Sequence, residues 1–278
     1  MLLRVMRFFC RFLPVAAVAG ALLVVFVGCD EDAGQAGPDP ELALNRPVEF
    51  TDVTVGEGEE IGKDYIVNIE YVGTFPGSEV AFDRNDRTDE TGAKVNPPLS
   101  LQIGTGDVIT GMDEGLMGMK RGGVRDMMIP WQKAYGVEGR PEGNIGTKQD
   151  LQFRVTVLDF IKPGEESVYD YEDVKVGSGR EVKEGDKVTC HYKGTYLNGM
   201  EFDDSRKRGD KAAGGTPLEF HVGATQVIKG MDAGVRGMKV GGVRKIWIPP
   251  ALSFGRDGYG PIQGNQIIWV EVELLGIG

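Results

Sequence analysis

The sequence predicts an α+β fold present twice in tandem, each copy a set of antiparallel strands with one short helix. Three observations predict it. One long segment recurs at a fixed offset, most apolar runs alternate with a period of two, and a single stretch in each copy has helical spacing interrupted by glycine.

The repeat sets the domain count. Residues 108–130 (VITGMDEGLMGMKRGGVRDMMIP) and 227–249 (VIKGMDAGVRGMKVGGVRKIWIP) are identical at 15 of 23 positions without a gap. The same offset of 119 residues links Gly104 to Gly223 and Gly136 to Gly255. So long a period indicates a duplicated domain rather than a solenoid. The copies are placed at 47–162 and 168–278, joined by the short segment 163–167.

Within each copy the strands come first. Tyr65–Val72, Lys187–Tyr192, Leu151–Val157 and Ile268–Leu274 alternate in character, with Gly-, Pro- and Asp-rich turns such as Asn198-Gly199 between them. The helix is expected over 108–119 and again over 227–238. Its apolar stripes are Ile109, Met112, Leu116 and Met119, and Ile228, Met231, Val235 and Met238. Each glycine inside costs about 1 kcal/mol relative to alanine, so these helices depend on packing against a sheet.

Ahead of the first copy lies a leader. Arg4, Arg7 and Arg11 precede an uncharged apolar run, Phe12 to Val27, and then Gly28-Cys29. This is the layout of a secretory signal, and the run is shorter than the roughly 20 residues a spanning helix needs. A small residue before cysteine resembles a bacterial lipobox, which implies cleavage before Cys29 and lipidation of its thiol. Phe26 departs from the usual leucine of that motif, and an uncleaved anchor or an ordinary cleaved signal are the alternatives. All three readings export the rest of the chain, as a membrane-anchored lipoprotein facing the periplasm or cell exterior in the first. Residues 29–46, acidic and rich in Gly and Pro, read as a flexible tether.

Charge excludes one class of partner. The net charge of −11 becomes −14 once the three leader arginines are removed. Such a surface repels nucleic acid and anionic membranes, which leaves the lipid as the route to a membrane. Cys29 and Cys190 give no disulfide framework. Cys190, His191 and His221 read as structural, with no metal-ligand spacing around them. Gly209–Gly215 lacks the pattern that cradles phosphate.

The chemistry is carried by an ordered set of residues found twice. In the second copy it runs His191-Tyr192, Gly199 to Arg206, Phe220 to Gly223, Val227 to Met231, Gly241-Gly242, Ile248-Pro249-Pro250, Phe254-Gly255 and Val272 to Leu275. The first copy matches with Tyr71, Phe82-Asp83, Gly104, Val108 to Met112, Ile129-Pro130 and Ala134-Tyr135-Gly136. This set resembles the FKBP family of peptidyl-prolyl isomerases. The resemblance implies a twisted antiparallel sheet wrapped around the helix, with an apolar pocket between them for the proline of a peptide.

Residue by residue, the resemblance implies that Tyr71, Phe82, Val108, Ile109, Met112, Ile145 and Phe153 line the first pocket, with Leu99 beside them. Asp83 would face the twisting carbonyl, and the Ile109 N–H and Tyr135 hydroxyl would bond the substrate backbone. Met112 replaces the family's tryptophan and Leu99 a phenylalanine. The second pocket would use Tyr192, Phe202, Asp203, Leu218, Val227, Ile228, Met231 and Ile262, with Arg208 paired to Asp203. There Phe254 stands where the tyrosine belongs and Val270 where the last phenylalanine belongs, with Tyr259 as a candidate replacement hydroxyl. The first copy is therefore expected to be the better catalyst.

The resemblance further implies proline-containing polypeptides as substrates, macrolide inhibitors of the FKBP class as candidate ligands, and no cofactor or metal. The competing reading is a pair of FKBP-shaped binding modules that act as chaperone or scaffold without useful catalysis. Core packing is the simpler reading of any one aromatic taken alone, and of the methionine stripe.

Overall fold

The computed structural model describes residues 45–278 except Lys211 and Ala213. The leader, Cys29 and all but the last two residues of the acidic tether lie outside the described residues. Arg46 forms an ion pair with Asp150 at 2.8 Å. Among the described residues no helix is long and apolar enough to cross a membrane.

The N-terminal lobe contains β1 (Glu49–Thr54), β2 (Glu57–Glu60), β3 (Ile66–Thr74), β4 (Ala81–Arg84), β5 (Leu99–Gln102), α1 (Thr110–Leu116), β6 (Lys120–Arg121), β7 (Val124–Ile129) and β8 (Leu151–Ile161). Its antiparallel sheet has the order β1-β7-β8-β3-β4, with β5 also paired to β3. The C-terminal lobe repeats this with β9 (Asp170–Lys175), β10 (Ser178–Glu181), β11 (Lys187–Tyr196), β12 (Glu201–Asp204), β13 (Leu218–His221), α2 (Lys229–Gly234), β14 (Lys239–Val240), β15 (Val243–Ile248) and β16 (Ile268–Ile277). Its order is β12-β11-β16-β15-β9, with β13 on β11. The small ribbons β2–β6 and β10–β14 flank the sheets.

Alternation explains the cores. On β8 the burial alternates from Leu151 to Val157, and the odd positions Leu151, Phe153, Val155 and Val157 face inward. In the first lobe Val67, Ile69, Leu101, Leu116 and Ile129 complete a fully buried cluster. Val188, Cys190, Val235, Ile246 and Ile248 do the same in the second. Burial pushes the Cys190 thiol up to about 12, so it packs as an inert small hydrophobe.

Both helices are shorter than the apolar spacing predicts, and neither includes its Ile109 or Ile228. Those residues are extended, with φ near −60° and ψ near 144°, and stand as N-caps. Beyond Leu116 the chain turns out at Met117. Glycine within the helices serves close approach. A Cβ on Gly111 would lie 2.3 Å from Ile129, and one on Gly230 the same distance from Ile248.

Each helix is tied to its sheet by one buried arginine. Arg125 donates from Nη1 to the carbonyls of Gly115 and Met117 (2.8 and 3.0 Å), which the end of α1 leaves unpaired. Its Nε and Nη2 donate to Asp52 on β1 at 2.6 and 3.0 Å. Arg244 repeats the arrangement with Gly234, Arg236 and Asp173.

The lobes meet along a polar seam. Asn68 on β3 is fully buried; its Oδ1 accepts the Ile267 N–H at 3.1 Å and its Nδ2 donates to Ser100 Oγ at 2.8 Å. Ser100 Oγ in turn donates to the Asn265 carbonyl at 2.6 Å. Gln266 Nε2 donates to the Pro98 carbonyl at 2.7 Å, and Trp247 Nε1 to Asp159 at 2.8 Å. Asn198, in the hairpin before β12, reaches Glu70 and the Asn96 carbonyl, each at 3.0 Å.

Candidate active site

In the N-terminal lobe the sheet and α1 enclose a cavity of about 400 Å³. Tyr71 comes from β3, Phe82 and Asp83 from β4, Leu99 from β5, Met112 from α1 and Phe153 from β8. Val108 and Ile109 lead into the helix, and Tyr135 and Ile145 belong to the loop before β8. All ten line the cavity. Phe82 meets Phe153 edge-on with ring centroids 5.7 Å apart, and Tyr71 lies 6.1 Å from Phe153. These rings approach because β3 carries Gly73 between them. A Cβ there would sit 2.8 Å from both Phe82 and Phe153.

Polar groups occupy the rim. The Tyr71 hydroxyl donates to Asp83 at 2.8 Å. Burial, reinforced by that carboxylate, raises the Tyr71 phenol, which stays a neutral donor. Asn85 pins this corner, accepting the Tyr71 N–H at 2.7 Å and donating to the Ile69 carbonyl at 3.1 Å. Asp107, Arg140, Glu142 and Gly143 also line the cavity. Sequence reasoning missed these four and Asn85, because turn composition does not tell which loop residues fold back over a pocket.

The C-terminal lobe has a corresponding cavity of about 140 Å³. Tyr192, Phe202, Asp203, Leu218, Val227, Ile228, Met231 and Phe254 line it, with Gly194 and Val270. The Tyr192 hydroxyl donates to Asp203 at 2.6 Å. Ser205 takes the place of Asn85, accepting the Tyr192 N–H at 2.9 Å. It also contacts His191 Nδ1 at 3.0 Å, so that histidine sits within the supporting structure.

Two expectations for this lobe are corrected, those for Ile262 and Tyr259, while the pairing of Arg208 with Asp203 is present. Ile262 is buried but does not line the cavity. It forms a backbone bridge with Tyr259 that encloses two residues, where the matching bridge of the first lobe, Arg140 with Ile145, encloses four. The shorter loop stops before reaching the pocket. Tyr259 stacks its ring on Phe254 at 5.9 Å and is 73% exposed, so its hydroxyl does not replace that of Tyr135. Arg208 lies outside the cavity lining. It holds Asp203 through two contacts of 2.5 and 3.1 Å and covers the Tyr192 ring.

An apolar recess with a few hydrogen-bonding groups at its rim can hold a small ring and grip the backbone on either side of it. Comparison with known proteins identifies the family. The family model described as FKBP-type peptidyl-prolyl cis-trans isomerase matches residues 57–158 and 178–275. A human relative, peptidyl-prolyl cis-trans isomerase FKBP10, is 34% identical over 249 residues, which cover 87% of this chain and 39% of the relative. The chain thus spans about two fifths of that relative's length. FK506-binding protein 2 of Dictyostelium discoideum is 52% identical over 97 residues, 34% of this chain and 68% of the relative. The crystal structure of FkpA from Escherichia coli matches at 37% identity and a TM-score of 0.34, covering 39% of this chain and 47% of that one. By the two family matches and the identity to these relatives, the chain belongs to the FKBP-type peptidyl-prolyl cis-trans isomerase family.

Proposed function

We propose that the chain catalyses cis–trans isomerisation of X–Pro bonds in exported proteins, chiefly through its N-terminal pocket. Rotation about a peptide bond faces a barrier of about 18–20 kcal/mol because resonance gives it double-bond character. At the twisted midpoint the amide loses resonance and polarity. A dry aromatic cradle then favours that state over the planar amide, with no nucleophile or proton transfer required.

The observation that carries this reading is the first cavity itself, where Phe82, Phe153 and Met112 form an apolar recess under the hydroxyl of Tyr135 and the carboxylate of Asp83. The second pocket is smaller and has Phe254 in place of that hydroxyl, which supports a weaker catalyst that mainly binds. Proline-containing folding chains are the substrates, and family macrolides are competing ligands for the same recess. The signal-like leader supports export, and Cys29 would anchor the chain by its lipid.

The test is isomerisation of a Leu-Pro tetrapeptide by the full chain, compared with Phe82→Ala and Phe202→Ala. Strong acceleration that falls at least tenfold in Phe82→Ala, and little in Phe202→Ala, supports the assignment. No acceleration by the folded chain leaves a pair of FKBP-shaped binding modules, the reading that the altered second pocket would favour.

A further inference from the structure

Tyr135 is not alone at the rim. The Arg140 guanidinium donates from Nη1 to the Tyr135 hydroxyl oxygen at 3.2 Å. Its Cζ lies 5.6 Å from the centre of the same ring, over its face. Arg140 is itself held from two sides. Its backbone N–H and carbonyl bond Ile145, a pocket residue, at 2.9 and 3.0 Å. Its Nε donates to Glu142 at 3.2 Å.

The direction of the hydrogen bond matters. A phenol oxygen that accepts from a cation keeps its own O–H free to donate elsewhere, and the positive charge makes that O–H a stronger donor. Without Arg140 the hydroxyl could rotate freely and be satisfied by water. The second lobe has neither partner, since Phe254 has no hydroxyl and the shorter loop ends at Tyr259 and Ile262.

We infer that Arg140 is a positioning residue of the N-terminal pocket, fixing the Tyr135 hydroxyl so that its proton points at a carbonyl of the bound peptide. The inference rests on the proposed isomerase pocket. The hydroxyl grips the peptide backbone beside the twisting bond in ground and transition states alike. Losing that grip therefore raises KM more than it lowers kcat.

A double-mutant cycle tests it in the full chain, with Phe202→Ala present throughout to disable the second pocket. The probe is a Leu-Pro tetrapeptide, read both by isomerisation kinetics and by peptide Kd. Arg140→Leu is expected to raise KM about three- to tenfold with kcat held within about twofold. Tyr135→Phe should do the same, and the double variant should be no worse than Tyr135→Phe by more than about twofold. Arg140→Lys, which keeps a cationic donor, should recover part of the loss. Losses that multiply independently, or an Arg140→Leu effect confined to kcat, overturn the inference while leaving the isomerase reading intact. Coupling in Kd without any catalysis keeps the inference and removes the isomerase reading.

Discussion

Arg208 lies across the carboxylate of Asp203 with two contacts of 2.5 and 3.1 Å, whereas Asp83, the matching acid of the other pocket, bonds only the neutral hydroxyl of Tyr71 among the described residues. The two rims therefore differ in charge although the Tyr-Asp pair and the neighbouring phenylalanine, Phe82 or Phe202, are common to both. Asp83, Asp107 and Glu142 leave the first rim acidic beyond what Arg140 offsets, whereas Arg208 neutralises Asp203 at the second.

Removing Arg208 should move the second pocket toward the first. Arg208→Ala is expected to give it about a two- to fivefold preference for Lys-Pro over Glu-Pro peptides, fading at high salt. Competitive peptide binding at two ionic strengths, in a chain with Phe82→Ala, measures this. The pair is exposed, so thermal stability should shift little.

Gly73 is required by the rings packed across it. Gly73→Ala should cost about 1–3 kcal/mol, because a methyl 2.8 Å from Phe82 and Phe153 forces both aside. Denaturant unfolding measures the cost. Isomerisation by the N-terminal pocket should fall with it, since the recess is shaped by the rings displaced.

At the seam, Asn68→Ala would strip the buried Ile267 N–H of its acceptor and Ser100 of a donor. The expected cost is about 1–3 kcal/mol. Scanning calorimetry should show it as a broadened or split transition, because the lobes lose part of what makes them unfold together.

Acid should loosen the clamp on the first helix. The hydrogen bonds from Arg125 hold the Asp52 carboxyl below the usual carboxylate range, against a smaller opposing effect of burial. A group whose folded pKa is depressed contributes stability above its unfolded pKa, near 4, and that contribution is lost as pH falls through the lower folded value. Asp52→Asn should be less stable than wild type at pH 7 by about 1–2 kcal/mol, discounted because Asp52 is about one-third exposed. The difference should shrink below pH 4 in urea titrations run from pH 2 to 7.

Much of this was legible in the sequence because the chain states it twice. The duplicated string located one short helix in each copy, and alternation on β8 and β16 predicted which side chains face inward. The helix ends were misread because Ile109 and Ile228 continue the apolar spacing, although both stand in extended backbone and present themselves to the cavity. Ile262 was carried over by motif position, yet the loop around it is shorter and draws it aside. The seam was hidden for another reason. Asn68 and Gln266 are polar residues that read as solvent-facing, and only the approach of the second lobe buries them. Arg140 was invisible as well, since nothing in a Gly- and Pro-rich loop announces which cation folds back onto a tyrosine.

Under the proposed function, the bonds through Asn68, Ser100, Gln266 and Asn198 have a consequence for the handling of long substrates. Two recesses joined by a slack linker would accept prolines at almost any spacing, with an effective concentration set by the linker. Recesses locked into one frame behave as a caliper instead. A client that engages both must carry its prolines at a matching interval, and chains that do not match gain nothing from the second grip.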